Sequence, residues 1–167
     1  MKIVLLILAL LLGSVFLINP IRETPVDDDW AYALTVNHFL KAGQYELHPW
    51  AAANFPFQTA WGALFSSVFG FSFSTLRLST LVLVFLGLIA MYRLARVLKI
   101  NRNVSGLLVL VLLACPLFLK FSFSFMTDIP FLMMMIISTL FYCLAFSKKI
   151  KRIKFSKSSK TMTSAPR

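Results

Sequence analysis

Cysteine is nearly absent. Cys115 and Cys143 are the only two in 167 residues, and both fall inside apolar runs. Two such thiols build neither a disulfide framework nor a metal scaffold, so packing is their default role. No Walker loop, G-x-G-x-x-G, G-x-S-x-G or HExxH occurs, which leaves soluble nucleotide chemistry without support. No internal repeat is visible, and this weighs against an inverted-repeat transporter. Carboxylates are scarce too, with six acidic residues against seventeen lysines and arginines.

Apolar residues are abundant, at 59% of the chain, and mean hydropathy is +0.81. A soluble domain of this length has too little interior to hide so much apolar surface. The composition therefore predicts an all-α fold, a polytopic membrane helical bundle. The net charge of +11 does not indicate nucleic acid, because eight of the seventeen basic residues lie in the last twenty positions with no RNA- or DNA-binding pattern. A basic tail beside anionic lipid suits them better.

Four runs predict transmembrane helices: 3–18, 75–94, 104–119 and 129–146. A fifth, 57–70, is short and ambiguous by length. If it does not cross and the N-terminus is cytosolic, thirteen of the seventeen basic residues fall inside and all six acidic residues fall outside. If it crosses, the basic clusters move outside, against the positive-inside rule. The four-span arrangement follows, with residues 19–74 as an outer loop containing interfacial helices. Residues 1–146 form the membrane domain and 147–167 an unstructured basic cytosolic tail. The first run also fits a signal peptide, but it lacks an A-x-A site, and an uncleaved anchor is expected. In the fifth run Phe57, Trp61, Leu64, Phe65 and Val68 follow helical spacing. Gly62, Ser66 and Gly70 form a small-residue ridge suited to close approach, although plain interfacial anchoring fits the spacing equally well.

The acidic residues concentrate in "VDDDWAY", where a loop meets a helical pattern over 30–41 that closes at Gly43. One aspartate suffices as an N-cap, so the triple aspartate suggests more than capping. Asp128 in "FMTDIPF" falls on the same face; Thr127 or Asp128 caps the fourth span, with Pro130 in its first turn. A carboxylate at a membrane interface can have a raised pKa and accept a proton from a hydroxyl. His38 and His48 match no tight ligand spacing, and no metal is expected. Arg22, Lys41, Arg77 and Lys120 are the basic residues on the outer face. Arg77 and Lys120, at span ends, either snorkel or meet an anionic lipid phosphate.

The order "DDDWAY", "NFPFQTAWGALFSSVFGFSFSTLRLS", "MYRLARVLKI", "LLACPLF" and "SFMTDIPFLMMM" resembles the N-terminal part of GT-C membrane glycosyltransferases. That group includes protein O-mannosyltransferases and the aminoarabinose transferases of lipid A. The resemblance spans about residues 1–146. It implies a hexosyl- or pentosyltransferase that moves a sugar from a polyprenyl-phosphate donor to an acceptor hydroxyl at the outer face of an inner or plasma membrane. No cofactor is implied beyond that lipid-linked sugar donor. The family's D-E-x-x-Y pattern is matched by Asp28, Asp29, Trp30, Ala31 and Tyr32, with Asp in place of Glu. The resemblance makes Asp28 the catalytic base, Asp29 its support and Asp128 the second acidic position. Where some relatives carry Lys-Pro-Pro this chain reads "NFPF", and Arg77 is the best remaining match for a basic group near the donor phosphate, with Lys120 the other candidate. Family members continue for several hundred residues, so the chain reads as the beginning of an enzyme. Rival readings are a small non-catalytic membrane subunit or assembly partner, whose aspartates only cap helices, and, more weakly, a transporter.

Overall fold

The computed structural model describes residues 2–19 and 23–163, with side chains beyond residue 146 outside the description. Among the described residues there are seven helices and no strand. They are α1 (Lys2–Ile18), α2 (Asp29–Ala42), α3 (Pro56–Phe69), α4 (Phe73–Val97), α5 (Arg102–Leu113), α6 (Pro116–Ser122) and α7 (Asp128–Thr163). The fold is the expected helical membrane bundle. Arg22 and residues 164–167 lie outside the described residues.

Among the described residues two helices are long and apolar enough to cross a bilayer: α4, and the Asp128–Phe146 part of α7. The apolar α1 is shorter. Helices α5 and α6 together reach spanning length but bend by 69°, where the sequence suggested one uninterrupted span over 104–119. The cause is Pro116, the first residue of α6. Its ring disfavours helical geometry at the preceding residue, and Cys115 is extended at φ −71°, ψ 118°. Helix α7 continues past Phe146 to Thr163, whereas the sequence suggested an unstructured tail from 147.

Caps set the remaining boundaries. Helix α2 ends where Gly43 adopts a left-handed φ of 67° and its N–H bonds to the Phe39 carbonyl. Helix α4 starts at Ser72, whose hydroxyl accepts from the Thr75 N–H. Its remaining free donors are met from fifty residues away: Glu23 accepts from the N–H groups of Phe73 (2.9 Å) and Ser74 (3.2 Å) and from the Ser74 hydroxyl.

Two cores result. Ile7 and Leu11 of α1, Leu83, Val84 and Leu88 of α4, Val109 of α5 and Met133 of α7 pack in the bundle. Lipid tails are as apolar as these side chains, so close packing rather than water exclusion holds this core. Gly87 permits the α4–α7 approach: a β-carbon there would overlap Met133 Sδ and stand 2.9 Å from Met133 Cβ. The second core, Tyr32, Val36, Ala63, Leu76 and Phe125, joins the loop helices to the start of α4. Helix α3 turns its small and polar ridge inward, burying Gln58, Thr59, Gly62, Ala63 and Ser66, and exposes Leu64 and Val68. A β-carbon at Gly62 would stand 2.7 Å from Phe125 Cζ, so the ridge serves close approach there, whereas Gly70 is the exposed cap of α3 with nothing within 4 Å of its β position.

Two outcomes are expected in thermal unfolding of the detergent-solubilised chain. Gly87→Leu forces α4 from α7 and destabilises by about 1–3 kcal/mol, as overpacking does. Glu23 is held below its ordinary pKa of 4.5, mainly by the Ser74 hydroxyl and then by the Phe73 and Ser74 N–H groups. Its contribution is therefore present above pH 4.5 and lost as pH falls through the lower folded value. Glu23→Gln should lower stability at neutral pH by about 0.5–1 kcal/mol and flatten that acid-side loss.

Candidate active site

The three consecutive aspartates have three different surroundings. Asp29, the first residue of α2, is fully buried. Its Oδ1 accepts from the Val26 N–H at 2.8 Å, and its Oδ2 lies 3.3 Å from Arg77 Nη2. The Phe125 N–H points to the same oxygen at the long distance of 3.5 Å. Burial pushes the Asp29 carboxyl above its ordinary range, and the Val26 N–H and the Arg77 guanidinium draw it back. Arg77 is only 2% exposed; it also donates to the Thr24 carbonyl and lies over the Phe73 ring, 5.6 Å from its centroid.

Asp28 occupies the N-cap position of α2, yet its side chain makes no capping bond and it is exposed. Asp27 takes a left-handed φ of 52°, which a short polar side chain tolerates. Its Oδ2 lies 2.8 Å from Lys120 Nζ, at the end of α6, and both side chains are about half exposed. Asp128 is exposed in the first turn of α7, where the Thr127 carbonyl accepts from the Phe131 N–H.

The structure thus brings Asp27 to Lys120 and Asp29 to Arg77, and gathers these pairs at the end of the bundle where α7 begins. Asp28 and Asp128 stand at this end without being paired to either cation. Gln58 is a participant that the sequence reading missed. It is 2% exposed, and its Nε2 donates to the Phe125 carbonyl at 2.8 Å. Phe125 is therefore held on one side by Gln58 of α3 and approached on the other by Asp29 of α2, three residues ahead of Asp128. The available signal was a single amide on the ridge face of an apolar helix.

Tyr32, the aromatic of the acidic motif, is buried and its hydroxyl accepts from the Ala53 N–H at 3.1 Å. His38 faces Glu46 at 3.3 Å, while His48 stands edge-on to Trp30. Among the described residues no three metal-ligating side chains converge. A groove of about 510 Å³ runs between α1 and α4, walled by Leu8, Leu11, Val15, Leu78 and Phe85, with Ser74 and Arg77 towards the acidic end.

A family model described as dolichyl-phosphate-mannose-protein mannosyltransferase matches residues 53–154, from just before α3 into α7. The chain belongs to this family. Of the candidate residues of this mannosyltransferase-family chain, Arg77, Lys120 and Asp128 fall in the matched segment, and Asp28 and Asp29 precede it. No curated protein and no solved structure shows a significant match.

Arg77→Gln leaves the Asp29 carboxylate buried without its guanidinium, and should cost about 3–5 kcal/mol of unfolding free energy. Gln58→Ala, which removes a neutral donor from the Phe125 carbonyl, should cost about 1–3 kcal/mol. Denaturant titration of the solubilised chain checks both values and their order.

Proposed function

We propose that the acidic end of this bundle is the part of a mannosyltransferase site at which an acceptor hydroxyl meets a polyprenyl-phosphate sugar donor. The membrane glycosyltransferase family is established by the match to residues 53–154; the donor, the acceptor and the residue roles belong to this proposal. Helices α1, α4, α5–α6 and α7 cross the membrane, with the acidic end outward and the basic turns inward, as the positive-inside rule asks.

The observation that carries the reading is the convergence at one end of the bundle of two segments nearly a hundred residues apart. Asp27 bonds Lys120, and Asp29 approaches Phe125 across a separation of 96 positions. Between those engaged neighbours Asp28 keeps an exposed carboxylate with no capping bond. It is the group placed to take the proton of an acceptor hydroxyl as that oxygen attacks C1 of the sugar with inversion. The donor's phosphate then leaves, and Lys120 and Arg77 supply positive charge to it. The α1–α4 groove ends at Arg77 and has the apolar walls an isoprenoid chain requires. Asp29 orients Arg77, and Asp128 acts from the start of α7.

A second reading rests on the same structure. Asp27 and Asp29 are both engaged in pairs that organise the fold, which is what a non-catalytic membrane subunit would need from them. The readings separate on Asp28. In membranes carrying the gene's full product, with polyprenyl-phosphate-mannose and a peptide acceptor, Asp28→Asn should lower transfer by about 100-fold or more. Its unfolding midpoint should stay at the wild-type value. Unchanged transfer by Asp28→Asn would reject the catalytic assignment and favour the subunit.

A further inference from the structure

The opposite end of the bundle carries charge that nothing in the described structure balances. Arg93 and Arg96 lie near the end of α4, Lys99 in the turn, and Arg102 at the start of α5; all four are exposed. The carboxylates are far away. Glu23 and Asp29 bond the first turns of α4, Asp27 bonds the end of α6, and Asp128 opens α7. Asp28 stands at the N-cap of α2, and Glu46 pairs with His38 just beyond that helix. From Arg77 to Arg96 the helix rises about 28 Å. That is several times the screening length of about 8 Å at physiological ionic strength. Among the described residues no carboxylate stands at this end.

A hollow of about 410 Å³ opens at this end between α1, α4 and α5. Its wall is apolar, formed by Ile3, Leu6 and Leu107, and its polar members are Tyr92, Arg102 and Asn103. Gly106 also lines it, and a β-carbon there would meet only Ile3 Cδ1, at 3.7 Å, so the space continues to the backbone of α5. An apolar wall with a cation, a phenol and an amide among its members matches one kind of molecule present at every membrane surface.

We propose that this hollow is a binding site for one anionic phospholipid. Arg102, with Tyr92 and Asn103, holds the headgroup phosphate, and an acyl chain lies along Leu6 and Leu107. Arg102 suits the task because a guanidinium pairs with phosphate oxygens through two parallel hydrogen bonds. The apolar wall selects a lipid over free phosphate. The site is separate from the proposed transfer chemistry and does not rest on it.

The test uses the full chain in mild detergent, with phosphatidylglycerol or phosphatidylcholine added and bound lipid counted by native mass spectrometry. Wild type should retain one phosphatidylglycerol with a preference of about tenfold over phosphatidylcholine. Arg102→Gln, an exposed substitution, and Gly106→Leu, which fills the hollow, should each reduce that preference by about fivefold or more. Replacing Lys148, Lys149, Lys151 and Arg152 with glutamine should leave it in place. Equal retention of the two lipids overturns the site. So does loss confined to the variant with those four basic residues replaced, which would assign the attraction to the basic segment after Phe146. Displacement of the lipid by inorganic phosphate alone would show that the apolar wall plays no part, and would also reject it. Because Arg102→Gln alters no core contact, it decides the matter even if Gly106→Leu fails to fold.

Discussion

The buried contact between Asp29 and Arg77 is the constraint from which the rest of the acidic end follows. Removing two ions from water costs several kcal/mol each, so such a pair is poor evidence of net stability. It does, however, penalise every arrangement that leaves either ion buried alone. Asp29 begins α2 and Arg77 lies in the second turn of α4, so satisfying both fixes how the loop helices seat on the bundle. The Val26 N–H and the Thr24 carbonyl complete the pair from the strand of chain between α1 and α2. That chain is itself anchored by Glu23 on the first N–H groups of α4. Asp27 and Asp28 precede the helix, Asp27 with a left-handed φ of 52°, and both are left at the surface.

This arrangement also separates two kinds of packing. Inside the bundle, lipid competes on equal terms with side chains, and the helices adhere by fit, as at Gly87 beneath Met133. In the core of the loop helices water is the competing solvent, and burying Tyr32, Leu76 and Phe125 contributes roughly 1.5–3 kcal/mol each where burial is complete. Phe125 belongs to this second core and precedes α7, so the loop core and the first residue of the longest helix are coupled through three residues of chain. A site built here needs that coupling, because the spanning helices alone do not determine where Asp128 stands relative to α2.

Local signals were legible and distant ones were not. The end of α2 at Gly43, the inward ridge at Gly62 and Ser66, and a helix starting at Asp128 all rest on residues within one or two turns. The break between α5 and α6 was hidden, although Pro116 was in view, because an unbroken apolar run suggests an unbroken span. Glu23 on the start of α4 and Gln58 on Phe125 span fifty or more residues, and no spacing rule relates them. The same holds for Asp29 and Arg77. Each stood out alone, one as an acid near a helix start and the other as a cation near the outer face. That each is the other's partner emerges only when α2 and α4 are brought together.

The two ends of α4 show why one helix can serve opposite chemistries. Its first turn, where unpaired N–H groups concentrate positive potential, accepts Glu23 and lies beside Asp29; its last turns, where carbonyls concentrate negative potential, carry Arg93 and Arg96. Dipole and side chains therefore agree at both ends, and the asymmetry is not a by-product of where loops fall. At the acidic end Arg77 and Lys120 each meet one carboxylate, Asp29 and Asp27, and Asp28 and Asp128 stand exposed beside those pairs. At the basic end no such cancellation occurs among the described residues, and the field is left for the membrane to answer. Carboxylates and their cation partners gather at one end and exposed cations at the other, and the apolar length of α4 keeps the two apart.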